Sequence, residues 1–321
     1  MDSDLDWIAS IMKAERARKG ARIQSLWSGY GELFRVELAG AEVESVVVKS
    51  VKPPEAMGGS PRSSEGLSHA RKRRSYDVEE CFYRTLSNHC DVASRVPHFF
   101  GSRKRGDGWL IVLEDLDAAG FPLRARAFDR KRTSLCIAWL ANFHARFLGS
   151  RTDGLWKTGT YWHLATRPFE EAAMDDDELK SVARAVDRKL REATFQTLVH
   201  GDAKPTNFCF ARKEAAVAAV DFQYVGGGVG VKDIAYLVSC EDDLRDDRIA
   251  SVLDEYFWLL REALERVEAK VDAAAVENEW RAVFPFALVD FYRFYAGWAK
   301  EHWSREAHAR TFVHALVAKL G

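Results

Sequence analysis

The sequence predicts an α+β fold in which a small antiparallel β-sheet lobe precedes a larger, mainly helical lobe. Residues 24–51 alternate between strand-like runs and turns that contain glycine. The run LIVLEDL at 110–116 has the composition of a buried strand, and the chain beyond it has mostly helical periodicity. We therefore expect an N-terminal lobe over residues 1–115 and a C-terminal lobe over residues 116–321.

The segments before and after the sheet are less regular. Residues 1–20 predict a short amphipathic helix, because acidic residues precede a short apolar stretch. Residues 52–74 are rich in proline, glycine and serine and then strongly basic, which predicts a loop, and helical periodicity resumes at Ser75. Short strands are expected within residues 207–223, and helices with many aromatic residues over residues 246–320.

Composition narrows the class of function. The 321 residues carry a formal net charge of −1, which does not suit a dedicated nucleic-acid binder. The five cysteines are scattered and form no CxxC pair, so neither a zinc site nor a disulfide framework is indicated. No segment resembles a secretory signal or a membrane span. We expect a cytoplasmic protein with a small-molecule ligand, no nucleic-acid or membrane partner, and no obligatory protein partner.

The stretch VHGDAKPTN at 199–207 concentrates polar groups directly after an apolar run. Downstream, FCF and AVAAV are strand-like, and a hairpin that turns about residues 213–214 would set Asn207 opposite Asp221. An amide oxygen beside a carboxylate is a ligand pair suited to Mg²⁺. Within the same turn, Asp202 is placed to accept the proton of an attacking hydroxyl group, and Lys204 to balance charge on a phosphoryl group.

A polar turn explains part of this stretch equally well. Asp202 and Asn207 are residues that commonly bond to nearby backbone amides in turns. The position of Asp221 favours the metal site, because a buried strand that ends in a carboxylate needs a partner for that charge.

The order of these residues resembles the catalytic segment of the protein-kinase-like superfamily, and the His-Gly-Asp opening is similar to its aminoglycoside phosphotransferase and choline kinase branch. Within that branch the chain is identified as similar to the ecdysteroid kinase-like (CHK kinase-like) family. The segments that carry the resemblance run in order from residue 68 to 238: SHARKRRSYDVEECFYRTL, VLEDL, LANFHARFLG, GLWKTGTYWHLATR, HGDAKPTNFCF and VDFQYVGGGVGVKDIAYLV. The resemblance implies a two-lobed protein-kinase-like fold.

The resemblance also implies residues that bind ATP. Lys49, at the end of the third strand, would hold the α- and β-phosphates. Its partner would be a glutamate on the next helix. We choose Glu79 over Glu80 because Glu79 shares a helix face with the predicted buried residues.

Two further backbone segments complete the ATP site that the resemblance implies. The turn with Gly29 and Gly31 would fold over the phosphates, although a plain hairpin turn accounts for its sequence equally well. The backbone of Glu114 and Leu116 would contact adenine, and an ordinary strand end remains the alternative at that place.

Two residues, His200 and Asp233, are expected to support the catalytic loop. Asp233 precedes an apolar helical run, so we expect it at least to cap the N-terminus of that helix. The resemblance implies that Asp233 also stabilises the catalytic loop. His200 is interpreted as a structural hydrogen-bonding residue inside the loop, and His144 as a helix residue near the cleft.

Two features depart from better-known relatives. Gln223 stands where protein kinases carry the glycine of Asp-Phe-Gly, and only about a dozen residues separate Asp221 from Asp233. So short a segment disfavours a protein substrate. Gly201 stands where choline kinases generally carry asparagine, which argues against choline as the acceptor.

The acceptor pocket is the least specified part of the site. Aromatic residues of the helical lobe are candidates for its walls, and the interior of the lobe is their alternative place: Tyr161, Trp162, Tyr292 and Tyr295. The acidic segment 241–247 would suit a cationic substrate or simply a solvated helix start, and the basic residues 71–74 would suit phosphate or simply the surface.

The sequence therefore predicts an ATP- and Mg²⁺-dependent phosphotransferase that acts on a hydroxyl group of a small molecule, such as a bulky or steroid-like alcohol, an amino alcohol or an aminoglycoside. The alternatives are a catalytically inactive nucleotide-binding regulatory module and, less favoured, a protein kinase. The acceptor, the oligomeric state and the choice of ATP over GTP stay open.

Overall fold

The computed structural model describes residues 2–54, 63–127, 129–240 and 245–320. The strands of this part of the chain are β1 Arg16–Ser25, β2 Gly31–Ala39, β3 Ser45–Val51, β4 Phe99–Arg105, β5 Gly108–Glu114, β6 Leu123–Arg124, β7 Thr197–Val199, β8 Phe208–Phe210, β9 Val217–Ala219 and β10 Gly226–Gly228. Its helices are α1 Asp2–Met12, α2 Ser64–Thr85, α3 Arg130–Arg146, α4 Pro168–Ala173, α5 Asp177–Arg191, α6 Val231–Ser239, α7 Asp246–Arg266, α8 Ala273–Trp298, α9 Lys300–Arg305 and α10 Ala307–Leu320. The predicted α+β fold class is confirmed.

The N-terminal sheet has five antiparallel strands in the order β1-β2-β3-β5-β4. Side chains alternate between the two faces of a strand. Val46 and Val48 of β3 are therefore buried in one cluster, to which α1 contributes Ile8. On the opposite face Val51 packs with Tyr76 of α2. Lys49 alternates with the two cluster valines and is thus directed to the α2 face.

Two predicted boundaries in this region were wrong. β1 begins at Arg16 instead of near residue 24, because its charged residues pair with β2 along the edge of the sheet, where alternating charge is tolerated. α2 begins at Ser64, eleven residues before the predicted start at Ser75. The side chain of Ser63 accepts a hydrogen bond from Gly66 N–H at 3.1 Å and caps the helix, and the Lys/Arg run that follows is helix-compatible. The other part of the predicted loop, residues 55–62, lies outside the described residues.

The predicted short strands at 207–223 are present as β8 and β9, which are neighbours in a sheet ordered β6-β8-β9. Ala211 N–H donates to Ala216 C=O at 3.0 Å and closes the turn between them. β7 and β10 form an additional antiparallel pair that the sequence analysis missed. The run Gly226–Gly228 carries no side chains, so its strand character has no apolar pattern to reveal it.

The C-terminal part is mainly helical. Helix α8 packs against α5, α6 and α4, and α7 packs against α3. Large aromatic side chains fill the interior between these helices, among them Trp139, Trp162, Tyr256 and Trp280. In the described ranges no helix is both long enough and apolar enough to span a membrane. Residues 241–244 of the predicted acidic segment lie outside the described residues.

The chain divides into two compact units. The first unit comprises Met1–Asp91, Arg95–Leu123 and Cys209–Gln223, and the second comprises Val92–Ser94, Arg124–Phe208 and Tyr224–Gly321. Most of the hairpin of β8 and β9 therefore belongs to the first unit, whereas the residues before and after it in the sequence belong to the second. The predicted functional boundary between residues 115 and 116 stays a prediction.

Candidate active site

Lys49 of the first unit is a buried lysine held between two carboxylates. Its Nζ lies 2.6 and 2.8 Å from the two oxygens of Glu79 and 3.2 Å from Oδ1 of Asp221. Glu80, the alternative that the sequence offered, instead accepts hydrogen bonds from Arg84 and Ser102 at 2.8 Å. The choice between the two glutamates follows from the helix: Glu79 and Glu80 point in directions about 100° apart.

The charges at this place are strongly coupled. Burial by itself would lower the pKa of Lys49, but the carboxylates of Asp221 and Glu79 outweigh it and raise the pKa, so the ammonium stays protonated. Burial raises the pKa of Glu79 to about 7 despite the opposing attraction of Lys49. The lysine is therefore a fixed positive charge, of the kind that binds phosphate oxygens.

Asp221 follows β9 in a backbone conformation that side-chain-bearing residues seldom adopt. Its φ is +68°, in the left-handed region. The next residue, Phe222, is fully buried and stacks on Phe82 of α2 with ring centroids 4.0 Å apart. Gln223 Nε2 donates to Asp221 Oδ1 at 2.6 Å. The Asp221 side chain is 34% exposed, so the carboxylate is held by its neighbours and still reaches solvent.

The turn between β1 and β2 contains the two predicted glycines. Gly29 has φ +74° and Gly31 has φ +128°, and Leu26 N–H donates to Gly31 C=O at 2.8 Å. A side chain at position 31 would overlap the carbonyl oxygen of Ser50. Glycine is thus required at Gly31 by the close approach of β3, whereas Gly29 has open space around it.

The end of β5 and the residues that follow it are predicted from the sequence to contact adenine. Ionic hydrogen bonds hold this segment. Arg95 binds both carboxylate oxygens of Glu114, and Arg35 of β2 binds the carboxylate of Asp115. Burial alone would raise the pKa of Asp115, but hydrogen bonds from Arg35 and Ser45 outweigh it and lower the pKa. Leu116 is buried in a small apolar cluster. The backbone that is predicted to contact adenine is therefore held by contacts within the first unit.

In the second unit, Asp202, Lys204 and Asn207 form one hydrogen-bonded cluster. Asp202 Oδ2 accepts from Lys204 Nζ at 2.8 Å and from Asn207 Nδ2 at 2.9 Å. The same amide nitrogen also donates to the backbone oxygen of Asp202 at 2.8 Å. Because the nitrogen of the Asn207 amide faces Asp202, its oxygen is the atom that remains for a cation.

Asp233 holds the start of this loop through the backbone. Its carboxylate accepts hydrogen bonds from His200 N–H at 2.6 Å and from Gly201 N–H at 2.9 Å, and all three residues are buried. Asp233 is the third residue of α6, so the N-cap interpretation was wrong. His200 Nδ1 in turn accepts from Asp202 N–H at 3.2 Å, which gives that imidazole a place inside the loop.

Gly201 meets a strict steric requirement. Its φ is +78°, and a Cβ there would overlap the carbonyl oxygen of Tyr224 and lie 2.7 Å from the nitrogen of Thr160. The backbone of Tyr161 donates to Gly201 C=O at 3.0 Å. The departure from the choline kinase pattern at this position thus coincides with a place where the backbones are packed too closely for any side chain.

The four predicted pocket aromatics have different environments. Trp162 is fully buried and donates from Nε1 to Asp290 at 3.0 Å, and Tyr292 is 5% exposed. Tyr161 and Tyr295 are partly exposed. Burial, together with the nearby Asp202 carboxylate, raises the pKa of Tyr161. Tyr161 is therefore the member of the set that lies next to the loop of Asp202, and the pocket role of all four residues stays a prediction.

The donor types within each unit fit a nucleotide and Mg²⁺. In the first unit the buried ammonium of Lys49 suits phosphate oxygens, and the carboxylate of Asp221 is a ligand type that Mg²⁺ accepts. In the second unit the amide oxygen of Asn207 is another such ligand type. In the part of the chain that the structure describes, no group of three or more His, Cys, Asp or Glu side chains has the arrangement of a metal site. The two residues proposed as metal ligands would not form such a group, because Asp221 is the only carboxylate of the pair and Asn207 carries an amide.

Comparison with known protein families gives a match to the segment that contains the loop of Asp202. Residues 164–269 match the model of the ecdysteroid kinase-like family. The resemblance to the ecdysteroid kinase-like family is confirmed. The matched residues include Asp202, Asn207, Asp221 and Asp233. No curated protein matches this chain.

Solved structures of small-molecule kinases are similar in fold. An ethanolamine kinase of Plasmodium vivax shares 14% identity at a TM-score of 0.50, over 88% of this chain and 74% of that chain. An aminoglycoside phosphotransferase from Streptomyces rimosus, in complex with ADP and streptomycin, shares 14% identity at a TM-score of 0.48, over 84% and 92% of the two chains. A putative fructosamine-3-kinase from Haemophilus somnus shares 11% identity at a TM-score of 0.46, over 98% and 96%. The ethanolamine kinase match confirms the predicted protein-kinase-like fold.

Sequence reasoning missed three contributors to the site. Gln223 was noted only as a departure, although its side chain contacts Asp221. His144 was placed near the cleft without its partner, Asp233. Arg95 was not considered. The signal available for Gln223 was its position directly after Asp221 and Phe222. The partners of His144 and Arg95 are distant in sequence, and no local pattern reveals them.

Proposed function

We propose that the chain is an ATP- and Mg²⁺-dependent phosphotransferase that phosphorylates a hydroxyl group of a small molecule. The observation that carries this proposal is the Asp202 carboxylate, buried yet bonded to Lys204 and Asn207 on a loop that Asp233 fixes through two backbone amides. A structural turn needs no such arrangement of a carboxylate, an ammonium and an amide.

The roles follow from the chemistry of each group. Lys49, fixed by Glu79, holds ATP phosphates as a permanent positive charge. The backbone at Gly29 and Gly31 covers the phosphates, while the backbone of Glu114 and Leu116 receives adenine. These residues all lie in the first unit.

Asn207 and Asp221 are the proposed ligands of Mg²⁺, which when bound neutralises charge on the phosphate oxygens. Asp202 orients the acceptor hydroxyl and accepts its proton. The oxygen of that hydroxyl forms a bond with the γ-phosphorus, and the bond to the bridging oxygen of ADP breaks. Lys204 lies 2.8 Å from Asp202 and stabilises the charge that develops on the transferred group.

Catalysis by this site rests on positioning and electrostatics. The carboxylate of Asp202 has side-chain exposure of 6%, and its loop is tied down at both backbone and side chain. A group held in this way loses little freedom when the acceptor binds. The similar structure with a TM-score of 0.50 is an ethanolamine kinase, so amino alcohols belong in the first set of acceptors to be tested.

The test is a screen of acceptors with Mg²⁺ and ATP labelled with ¹⁸O in the γ-phosphoryl group. Sterols, amino alcohols, ketoamines and aminoglycosides are incubated with the full chain, and each product is read by mass spectrometry. The expected result is one class that gains the mass of a labelled phosphoryl group. Two results would contradict the proposal: release of the label only as inorganic phosphate, or transfer of the label only to added protein.

A further inference from the structure

Gln223 joins the end of the β9 segment to helix α2. Its side-chain amide donates to Asp221 Oδ1 at 2.6 Å, and its amide oxygen lies 3.1 Å from both Ser75 Oγ and Lys72 Nζ. The residue is 5% exposed. All four residues belong to the first unit, so these contacts are internal to one compact body.

The same helix also carries Glu79. Ser75 and Glu79 are four positions apart on α2 and lie on one face, one turn above the other. Asp221 is therefore tied to α2 by two routes: one passes through Lys49 to Glu79, and the other passes through Gln223 to Lys72 and Ser75. The Ser75 hydroxyl also lies 2.7 Å from the carbonyl oxygen of Lys72. Both routes end at Oδ1 of Asp221.

The side chain of glutamine is suited to this bridge. It has an N–H donor for the carboxylate and a carbonyl acceptor for a hydroxyl or an ammonium, whereas glutamate lacks the donor and glycine lacks both. The hydrogen bond from the buried amide of Gln223 restrains the side-chain torsions of Asp221 and so fixes the rotation of its carboxylate.

We propose that Gln223 is a positioning residue that orients the Asp221 carboxylate toward the Mg²⁺-nucleotide and links that orientation to helix α2. This inference rests on the proposed function and extends it to a residue that makes no contact with the reacting atoms. It predicts that Gln223 affects the metal-dependent part of nucleotide affinity and leaves the metal-free part, which depends on Lys49, unchanged.

The experiment measures ATP affinity by titration calorimetry with Mg²⁺ and again with EDTA, in the full chain and in Gln223→Leu. Leucine keeps most of the volume and removes all three side-chain hydrogen bonds, to Asp221, Ser75 and Lys72. Since a hydrogen bond to a charged group is among the stronger hydrogen bonds in proteins, we expect the gain in affinity given by Mg²⁺ to fall by about tenfold or more. Affinity in EDTA should equal that of the unchanged chain. Gln24→Leu, at an exposed position of β1, is the matched control.

Ser75→Ala is the second variant, and it protects the test against misfolding of Gln223→Leu. It removes one hydroxyl from a helix, so the fold is preserved, and we expect a smaller loss in the same metal-dependent quantity. Asp221→Ala serves as the reference for complete loss of the Mg²⁺ effect. Thermal unfolding of each variant shows which of them are folded.

The outcomes separate the inference from the proposed function. If Asp221→Ala abolishes the Mg²⁺ effect while Gln223→Leu and Ser75→Ala retain it fully, the positioning role is overturned and the proposed function stands. If the unchanged chain itself binds ATP without any effect of Mg²⁺, the proposed function fails and the inference fails with it. A selective loss in Gln223→Leu supports both.

Discussion

His144 of α3 and Asp233 of α6 are 89 positions apart in the chain, and His144 Nε2 lies 3.1 Å from Asp233 Oδ2 in the buried interior of the second unit. The other ring nitrogen of His144 lies 2.8 Å from the hydroxyl of Tyr256. Asp233 in turn accepts the amides of His200 and Gly201. The backbone at His200 and Gly201, where the proposed catalytic loop begins, is thus connected through the Asp233 carboxylate and His144 to helices α3 and α7.

Replacing His144 should weaken this connection. We expect His144→Leu to lower the free energy of unfolding by about 1–3 kcal/mol, because Asp233 and Tyr256 each lose a buried hydrogen-bond partner. Urea denaturation followed by tryptophan fluorescence measures the loss. His302→Leu, at an exposed position of α9, is the control and should change stability little. Equal stability of the two variants would show that the His144 contacts have no net effect.

Gly201 offers a sharper steric test. Gly201→Ala introduces a left-handed φ for alanine and also an overlap with the carbonyl of Tyr224. Gly149→Ala is a matched control, since its φ is +74° and no atom lies within 4 Å of the added Cβ. We expect Gly149→Ala to cost about 1 kcal/mol of stability from the backbone alone, and Gly201→Ala to cost clearly more and to lose phosphotransfer. Similar losses in the two variants would contradict the close packing.

The neighbouring glutamates of α2 should behave differently in nucleotide binding. Glu79→Gln removes the charge that fixes Lys49, so we expect ATP affinity to fall by about 10-fold, the equivalent of roughly 1.4 kcal/mol. Glu80→Gln affects only Arg84 and Ser102 and should leave ATP affinity unchanged, whatever it does to stability. Titration calorimetry compares the two. A larger loss in Glu80→Gln would reject Glu79 as the partner that matters.

His163 predicts a specific acid sensitivity. Burial, reinforced by the charge of Lys232, lowers the pKa of His163 to about 4, although Asp290 and Asp187 oppose the shift and Arg293 adds to it. A histidine whose folded-state pKa lies below its unfolded value favours the folded state above that unfolded value, near 6.5, and this stability is lost as the pH falls from about 6.5 to about 4.

The measurement compares the unchanged chain with His163→Gln by urea denaturation at pH 7, 5.5 and 4. Over this range the unchanged chain should lose up to about 3 kcal/mol more than the variant, because lowering the pKa of His163 from 6.5 to about 4 corresponds to about that free energy. The comparison removes the contribution of other acidic groups that titrate in both proteins. Parallel pH curves for the two proteins would contradict the shift.

Several parts of the fold were predictable because their signals are local. The valines of β3 and the apolar run of β5 alternate or persist over enough residues to identify strands, and turn glycines separate them. Glu79 was distinguishable from Glu80 because the two lie on different faces of a helix whose buried side is visible in the sequence. Asp221 was identifiable as a carboxylate at the end of a buried strand.

Other parts were not predictable for equally physical reasons. The start of α2 depends on the capping contact at Ser63 within a segment whose composition resembles a loop. β10 consists of three glycines, so its pairing with β7 depends on backbone contacts that leave no side-chain pattern. The interaction of His144 with Asp233 and the bridge made by Gln223 join residues that are far apart in sequence, and no spacing rule indicates them.

Turnover and ATP affinity of Asp202→Asn, measured side by side, test whether Asp202 is the catalytic base. Asparagine keeps the size of the side chain and removes its capacity to accept a proton. With the acceptor found in the screen, we expect kcat to fall by about 100-fold or more, with ATP affinity within about twofold of the unchanged chain. Asp153→Asn, whose side chain is 74% exposed, is the control and should keep full activity. Full turnover by Asp202→Asn would contradict the assignment of this aspartate as the catalytic base.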